Sequence, residues 1–324
     1  MAQREIIAIG GSAGSITPIR EICSALPADL RAAVLIAVHV QANGRNLLAG
    51  ILDNEGPIPA ATAVDGQAWE PGRIYVAPMD YHLLVENRVL RLGRGPRENM
   101  ARPAIDPLFR SVGLAAGPRA IGVLMSGMLN DGAAGLADLK RCGGVTVVQS
   151  PLDAKEAEMP QTALLASDID YRAPARDMTD LLVRLLQEQA GAAPVPPPRI
   201  ALEMSIAMGR ATNSAIMAEI ADPSPLTCPA CGGVLSEIRT SPLRFRCQVG
   251  HGYTAEALNH VHAQGADEAI RVALRVLGER IVVMDKMTFE ALQAGRTGAA
   301  ASFEIRAKEY RRHAAVLTAA ALHA

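Results

Sequence analysis

Three side chains spread over the first 131 residues carry the groups that acyl transfer needs. Ser12 lies in the turn Gly10-Gly11-Ser12-Ala13-Gly14, His39 ends the apolar run "VLIAVHV", and Asp131 follows "LMSGMLN". A serine hydroxyl is a poor nucleophile until an imidazole removes its proton, and the imidazole in turn needs a carboxylate to orient it. The serine turn reads G-x-S-x-G, which exposes a hydroxyl at a strand-to-helix junction. Each residue also has a plainer reading. A glycine-serine turn is an ordinary βα loop, a histidine closing a strand is often structural, and Asp131 alone reads as a helix N-cap. A dinucleotide fingerprint is ruled out, because Ser12 and Ser15 stand where its second and third glycines belong and the next strand ends in His39, not an acid.

A second constellation is "CPACGGVLSEIRTSPLRFRCQVGHGYT": Cys228-x2-Cys231, fifteen residues, then Cys247-x3-His251. This spacing can turn three thiolates and an imidazole onto one ion, and it predicts a structural zinc. A reduced, metal-free cluster of buried cysteines is the alternative. No cofactor is expected for catalysis. The other histidines of the C-terminal part, His260, His262, His313 and His323, have no ligand-like spacing.

The elements around these residues alternate. Strands are expected at Ile6–Ile9, Val34–Val38, Arg73–Ala77, Ile121–Met125 and Val145–Val148, with helices near 17–26, 45–53, 104–116, 132–141, 160–166 and 177–188. The fold class is therefore α/β: a doubly wound, mostly parallel sheet, with "GRIYVAPMDYHLLVENRVLRLG" adding an antiparallel hairpin. Ligands bind such sheets outside the carboxyl ends of the strands, which puts Ser12, His39 and Asp131 at one crevice. "AGAAPVPPP" cannot continue a helix, so the domain reading is a catalytic domain over 1–189, a Pro-rich linker over 190–198 and a C-terminal region over 199–324. That region should hold a helix near 199–220, the knuckle 226–253 and a helical tail from 256, a surface suited to a homodimer.

Composition narrows the class. The chain has 324 residues, 49% hydrophobic and 3% aromatic, so it can bury a large core of Ala, Leu, Val and Ile. A net charge of -1 supplies no basic field for nucleic acid or an acidic membrane. No apolar run reaches the roughly 18 residues that span a bilayer, and none of signal-peptide length precedes the first strand, so no membrane insertion and a cytoplasmic location are expected.

Six ordered blocks, "AIGGSAGS", "VHV", "GRIYVAPMDYHLLV", "RPAIDPLFRS", "VLMSGMLNDGAAGL" and "GGVTVVQSPLDAKEAEMPQTAL", resemble the CheB-type chemotaxis methylesterases over nearly all of residues 4–188. The resemblance implies a protein-glutamate methylesterase, with glutamine deamidation as a related activity and a methylated chemoreceptor or receptor-like protein as partner. It implies Ser12 as nucleophile, His39 as base and then acid, Asp131 as orienter, and Met128 with the Ala13 and Gly14 turn as oxyanion donors. Methanol leaves, and water resolves the acyl-enzyme. Departures fall in the cleft: Val40-Gln41 replaces the usual Met-Pro, Gly14-Ser15 the usual Gly-Gly, and Met128-Leu129 the usual Met-Gly. Family members usually carry a phosphorylated receiver domain within a phosphorelay, which is not expected here because Met1 is so near the first strand. A catalytically weak scaffold that docks a helical partner is the competing reading.

Overall fold

Every residue of Ile6–Gly11 is buried, and this run forms β1, the central strand of the protein. The structure is a computed structural model that describes residues 3–39, 47–210 and 212–321. Val40, Gln41 and His323 lie outside the described residues. After β1 come α1 (Ile16–Ser24), β2 (Ala33–Val38), α2 (Leu48–Glu55), β3 (Ala60–Thr62) and β4 (Ile74–Val76), then the hairpin β5 (His82–Glu86) and β6 (Val89–Gly93). The second half of the fold contains α3 (Ile105–Ala116), β7 (Ala120–Leu124), α4 (Ala133–Arg141), β8 (Val145–Gln149), α5 (Glu158–Ala166), β9 (Tyr171–Ala173) and α6 (Ala175–Gln187).

Seven strands form one sheet in the order β3-β4-β2-β1-β7-β8-β9, and the pairings are parallel. Side chains of a strand alternate between faces. Ile7 and Ile9 accordingly pack with Ile19, Leu52, Met178 and Leu182 of α1, α2 and α6. Ile6 and Ala8 pack with Leu108, Phe109, Leu136 and Met159 of α3, α4 and α5. Helices thus cover both faces, as the alternation of elements implies. The hairpin is a separate two-stranded sheet whose Leu83, Val85 and Leu90 join the α3 side of the core. The three-residue strands β3 and β9 are too short to show in hydrophobic periodicity.

Beyond α6 the structure departs from the simplest reading. The expected helix near 199–220 is two helices, α7 (Pro198–Ala207) and α8 (Ser214–Ile220), separated by a turn in which Gly209 has φ +91°. The cysteine-bearing segment is a four-stranded antiparallel sheet, β10 (Ala221–Thr227), β11 (Val234–Ile238), β12 (Arg244–Cys247) and β13 (Gly252–Thr254). Two helices close the chain, α9 (Ala255–Gln293) and α10 (Thr297–Ala321). The chain parts into two compact groups at Leu258, not at the Pro-rich segment. Within Asn259–Ala324, Arg311 of α10 pairs with Asp285 of α9 at 2.6 Å, and Arg280 stacks on Tyr310. Among the described residues no helix is long and apolar enough to cross a membrane.

The first group extends to Leu258 because buried charges tie α7 and β12 to α3 and α4. Glu203 of α7 accepts from Arg244 at 2.7 and 3.0 Å and from Arg246 at 3.1 Å, and lies 3.5 Å from Arg110 of α3. Arg110 also reaches Glu98 and Asp138, each at 3.3 Å, and Arg199 donates to Asp138 at 2.6 Å. Burial alone would raise the Glu203 carboxyl, but Arg110, Arg244 and Arg246 outweigh it and hold the group well below the ordinary range. A carboxylate depressed in this way stabilises the fold fully above its unfolded value and loses that contribution as pH falls through the lower folded value.

Breaking one partner of a buried charge cluster leaves the others uncompensated. Glu203→Gln should therefore destabilise the first compact group by about 3–5 kcal/mol, read as a lower denaturation midpoint. Hydrogen exchange of wild type at pH values below the ordinary carboxylate range should show α7 and β12 losing protection.

Candidate active site

The strand order changes direction at β1: the chain first builds outward through β2, then returns to the other side of β1 with β7. Ser12, His39 and Asp131 follow the carboxyl ends of β1, β2 and β7, so all three face the crevice at this switch point. Ser12 Oγ donates to His39 Nδ1 at 3.1 Å, and His39 Nε2 donates to Asp131 Oδ2 at 2.7 Å. Because Nε2 carries the proton held by the carboxylate, Nδ1 keeps a lone pair aimed at the serine.

Backbone bonds fix the serine turn. Ser12 N–H donates to Ser126 O at 2.9 Å, His39 N–H to Gly11 O at 3.2 Å, and Ser126 Oγ–H to Ala13 O at 2.8 Å. Ser12 itself is not among the residues with positive φ; that conformation falls two residues later, at Gly14 with φ +77°. The turn is thus a relaxed βα loop, not a strained elbow. The loop after β7 comes close to the serine at Gly127, where a β-carbon would lie 2.9 Å from Ser12 Cβ. Next in that loop is Met128, 55% exposed, then Leu129 with φ +61°. A non-glycine residue pays about 1–2 kcal/mol for that conformation, and the strain sits two residues before Asp131. Among the described residues, the backbone N–H groups of Ala13, Gly14 and Met128 donate to no acceptor.

Asp131 is almost fully buried and does not cap its own helix. Its carboxylate accepts from the first two N–H groups of α3, Ile105 at 2.6 Å and Asp106 at 3.3 Å, and from Asn99 Nδ2 at 2.9 Å. Asp106 of α3 caps α4 in return, accepting from Gly132 N–H at 3.0 Å and Gly135 N–H at 2.5 Å. Burial pushes against ionisation of Asp131, but the His39 hydrogen bond and charge, the Ile105 N–H and the Asn99 amide win, and the carboxyl lies below its usual value. Among the described residues no cation pairs with Asp106; burial and the charge of Asp131 push it up to about 7.

Asn99, Asp106, Asn130, Thr254 and Glu256 have no spacing that marks them in the sequence, although Asp106 lies within "RPAIDPLFRS" and Asn130 within "NDG". Asn99 Nδ2 donates to both Asp131 and Asp106, the latter at 3.0 Å. Its Oδ1 accepts from Thr254 N–H at 2.9 Å. Thr254 Oγ1 donates to Asn130 Oδ1 at 2.6 Å, and Asn130 Nδ2 to Glu256 at 2.5 Å. Beside His39 opens a cleft of about 320 Å³ lined by Met79, Asp80, Arg97, Asn99, Met100 and Arg102.

The four knuckle residues also converge: the ligand atoms of Cys228, Cys231, Cys247 and His251 all lie within 4.8 Å of one another. Cys231 Sγ is 3.7 Å from Cys247 Sγ, and His251 Nδ1 is 3.5 Å from Cys247 Sγ and 3.9 Å from Cys228 Sγ. Tetrahedral zinc with bonds of about 2.3 Å to sulfur and 2.0–2.1 Å to nitrogen needs edges of roughly 3.5–3.8 Å. The donor set therefore fits that ion in type and spacing.

Comparison with known proteins agrees in extent with the α/β part. The family model for CheB methylesterase matches residues 7–182. A putative protein-glutamate methylesterase/protein-glutamine glutaminase of Leptospira interrogans (strain Fiocruz L1-130) is 36% identical over 184 residues, 56% of this chain and 95% of that protein. The Pyrococcus horikoshii protein-glutamate methylesterase/protein-glutamine glutaminase is 32% identical over 188 residues, 57% of this chain but only 51% of its own length. The crystal structure of the Thermotoga maritima CheB methylesterase catalytic domain superposes with a TM-score of 0.54 at 26% identity, covering 57% of this chain and all of that one. With the sheet order, the crevice residues and these matches together, the chain belongs to the CheB methylesterase family.

Proposed function

We propose that the chain is a protein-glutamate methylesterase that hydrolyses glutamate methyl esters on a methylated chemoreceptor or receptor-like protein. The unbroken hydrogen-bonded series Ser12–His39–Asp131 at the switch point carries the reading. Ser12 Oγ attacks the ester carbonyl while His39 Nδ1 takes its proton, and Asp131 holds the imidazolium that forms. Methanol departs with that proton, and water repeats the steps on the acyl-enzyme. The same carbonyl chemistry on a glutamine amide would release ammonia, which is the related deamidation.

For the oxyanion we place Ala13, Gly14 and Met128 as backbone donors. Support comes from their undirected N–H groups and from the close approach of Gly127 to Ser12. The arrangement also favours an enzyme over a scaffold, since a docking surface has no use for a buried carboxylate aligned on an imidazole. The modular reading we propose is a catalytic module over 1–189, a Pro-rich connector over 190–198, and a C-terminal region whose knuckle packs with the catalytic module. Cytoplasmic action belongs to the same proposal. A homodimer through the C-terminal helices is supported by exposed Val272, Val276, Phe289 and Leu292 on α9.

At the knuckle we propose one structural zinc held by Cys228, Cys231, Cys247 and His251. When bound, it would supply a fixed tetrahedral crosslink and no catalytic chemistry. The sheet β10–β13 has a small apolar cluster of its own, Cys228, Leu235, Phe245, Cys247, Tyr253 and Leu258, too little to order a fold of this size without help.

Two measurements test these assignments. Methanol release from methylated receptor cytoplasmic fragments should fall about 10³-fold or more in Ser12→Ala and His39→Ala, and by a smaller factor in Asp131→Asn; near wild-type turnover in Ser12→Ala would sink the nucleophile. Elemental analysis of protein purified without chelator should give one zinc per chain, falling well below one in Cys228→Ser; metal-free wild type would sink the zinc assignment.

A further inference from the structure

Asn99 and Met100 have φ of +49° and +66°. Consecutive left-handed residues other than glycine persist only where the surroundings over-determine them. Here the surroundings are β13. Asn99 N–H donates to Gly252 O at 2.8 Å, Gly252 N–H to Arg97 O at 3.3 Å, and Thr254 N–H to Asn99 Oδ1 at 2.9 Å. This is a short backbone pairing between the knuckle and the segment that supports Asp131.

The pairing also orients the Asn99 side chain. An amide turned the other way would set its oxygen against two carboxylates and its NH2 against the Thr254 N–H. Only the observed orientation lets Nδ2 donate to Asp131 and Asp106 together. β13 begins one residue after His251, and its Tyr253 hydroxyl lies 3.7 Å from Cys228 Sγ. Cys247 N–H, from another residue of the cluster, donates to His251 O at 3.0 Å. Only two residues, Gly252 and Tyr253, therefore separate His251 from Thr254, the donor that fixes Asn99.

We propose that β13 makes the Cys/His knuckle part of the catalytic machinery: with its four ligands closed on zinc, Gly252 and Thr254 hold Asn99 as a positioning residue for Asp131, so that opening the cluster loosens the triad. The proposal rests on the triad and zinc assignments and adds a link between them. Asp131 keeps its contacts with α3 when Asn99 is lost, so the effect is misalignment of His39, not collapse. Misplacement of a catalytic group by about 1 Å can cost up to about 10²-fold in rate, and a group that acts through orientation changes kcat, not KM.

The test uses the full-length protein. Asn99→Ala and the isosteric Asn99→Asp, which has no donor, should lose about 10-fold or more in kcat with KM within about two-fold. The downfield proton signal of His39 Nε2–H, shared with Asp131, should weaken in both. Removing zinc with a chelator should lower kcat and weaken that signal in wild type, yet change Asn99→Ala little further. Wild-type kcat in both Asn99 variants overturns the proposal; so does an equal fold-loss on zinc removal in wild type and Asn99→Ala, or a zinc-free wild type that keeps both kcat and signal. Should stripping unfold the chain, seen as a lost thermal transition, the Asn99 arm decides by itself. Failure of the underlying readings shows elsewhere: absent zinc in the metal assay, or absent hydrolysis by wild type.

Discussion

The reciprocal capping of α3 and α4 is the constraint on which the rest of the site depends. Asp131, just before α4, accepts the first N–H groups of α3, while Asp106, inside the first turn of α3, accepts from the start of α4. Each carboxylate sits at a positive helix end, where the dipole and the unsatisfied donors favour negative charge. The contact demands close approach, and Gly135 allows it: a β-carbon there would lie 2.6 Å from the Asp106 backbone. Two helices are thereby locked at one corner of the sheet, and the group left facing the crevice is Asp131 Oδ2 with His39 against it.

Ordering that corner costs burial of two neighbouring carboxyl groups. Each accepts from the Asn99 amide and from two backbone N–H groups, but Asp131 alone has the imidazole against it, and Asp106 is the one driven toward neutrality. Such a split keeps Asp131, the carboxyl that faces His39, in its charged form. Asn99 sits between the two and is satisfied on its other side by Thr254, so the balance of the pair extends into β13.

The knuckle is held to the α/β part by buried ions as well as by that strand. Arg110, Arg244 and Arg246 gather around Glu203 and Glu98 with little access to solvent. Buried ion clusters are weak sources of net stability because desolvation offsets attraction, but their geometry is unforgiving. Their use here is orientation: α7 and β12 can settle against α3 and α4 in one way, and that way brings β13 alongside Asn99.

Much of this was legible in the residue order. The α/β alternation, the strand-to-helix turn at Ser12 and the histidine and aspartate at later strand ends all follow from local hydrophobic period and turn chemistry, because parallel strands buried on both faces read as short apolar runs. The ligand spacing of Cys228, Cys231, Cys247 and His251 was equally local. What the residue order could not disclose is every partnership made between distant segments. Asn99 and Thr254 are 155 residues apart, and nothing in either neighbourhood marks them. The Pro-rich segment looked like a boundary, since composition reports local stiffness, yet the compact group runs past it to Leu258 because charges on α3, α4, α7 and β12 find one another only after folding. Local pattern determined which groups could react; burial and hydrogen bonding between remote elements decided how Asp131 is held, and so which way His39 faces.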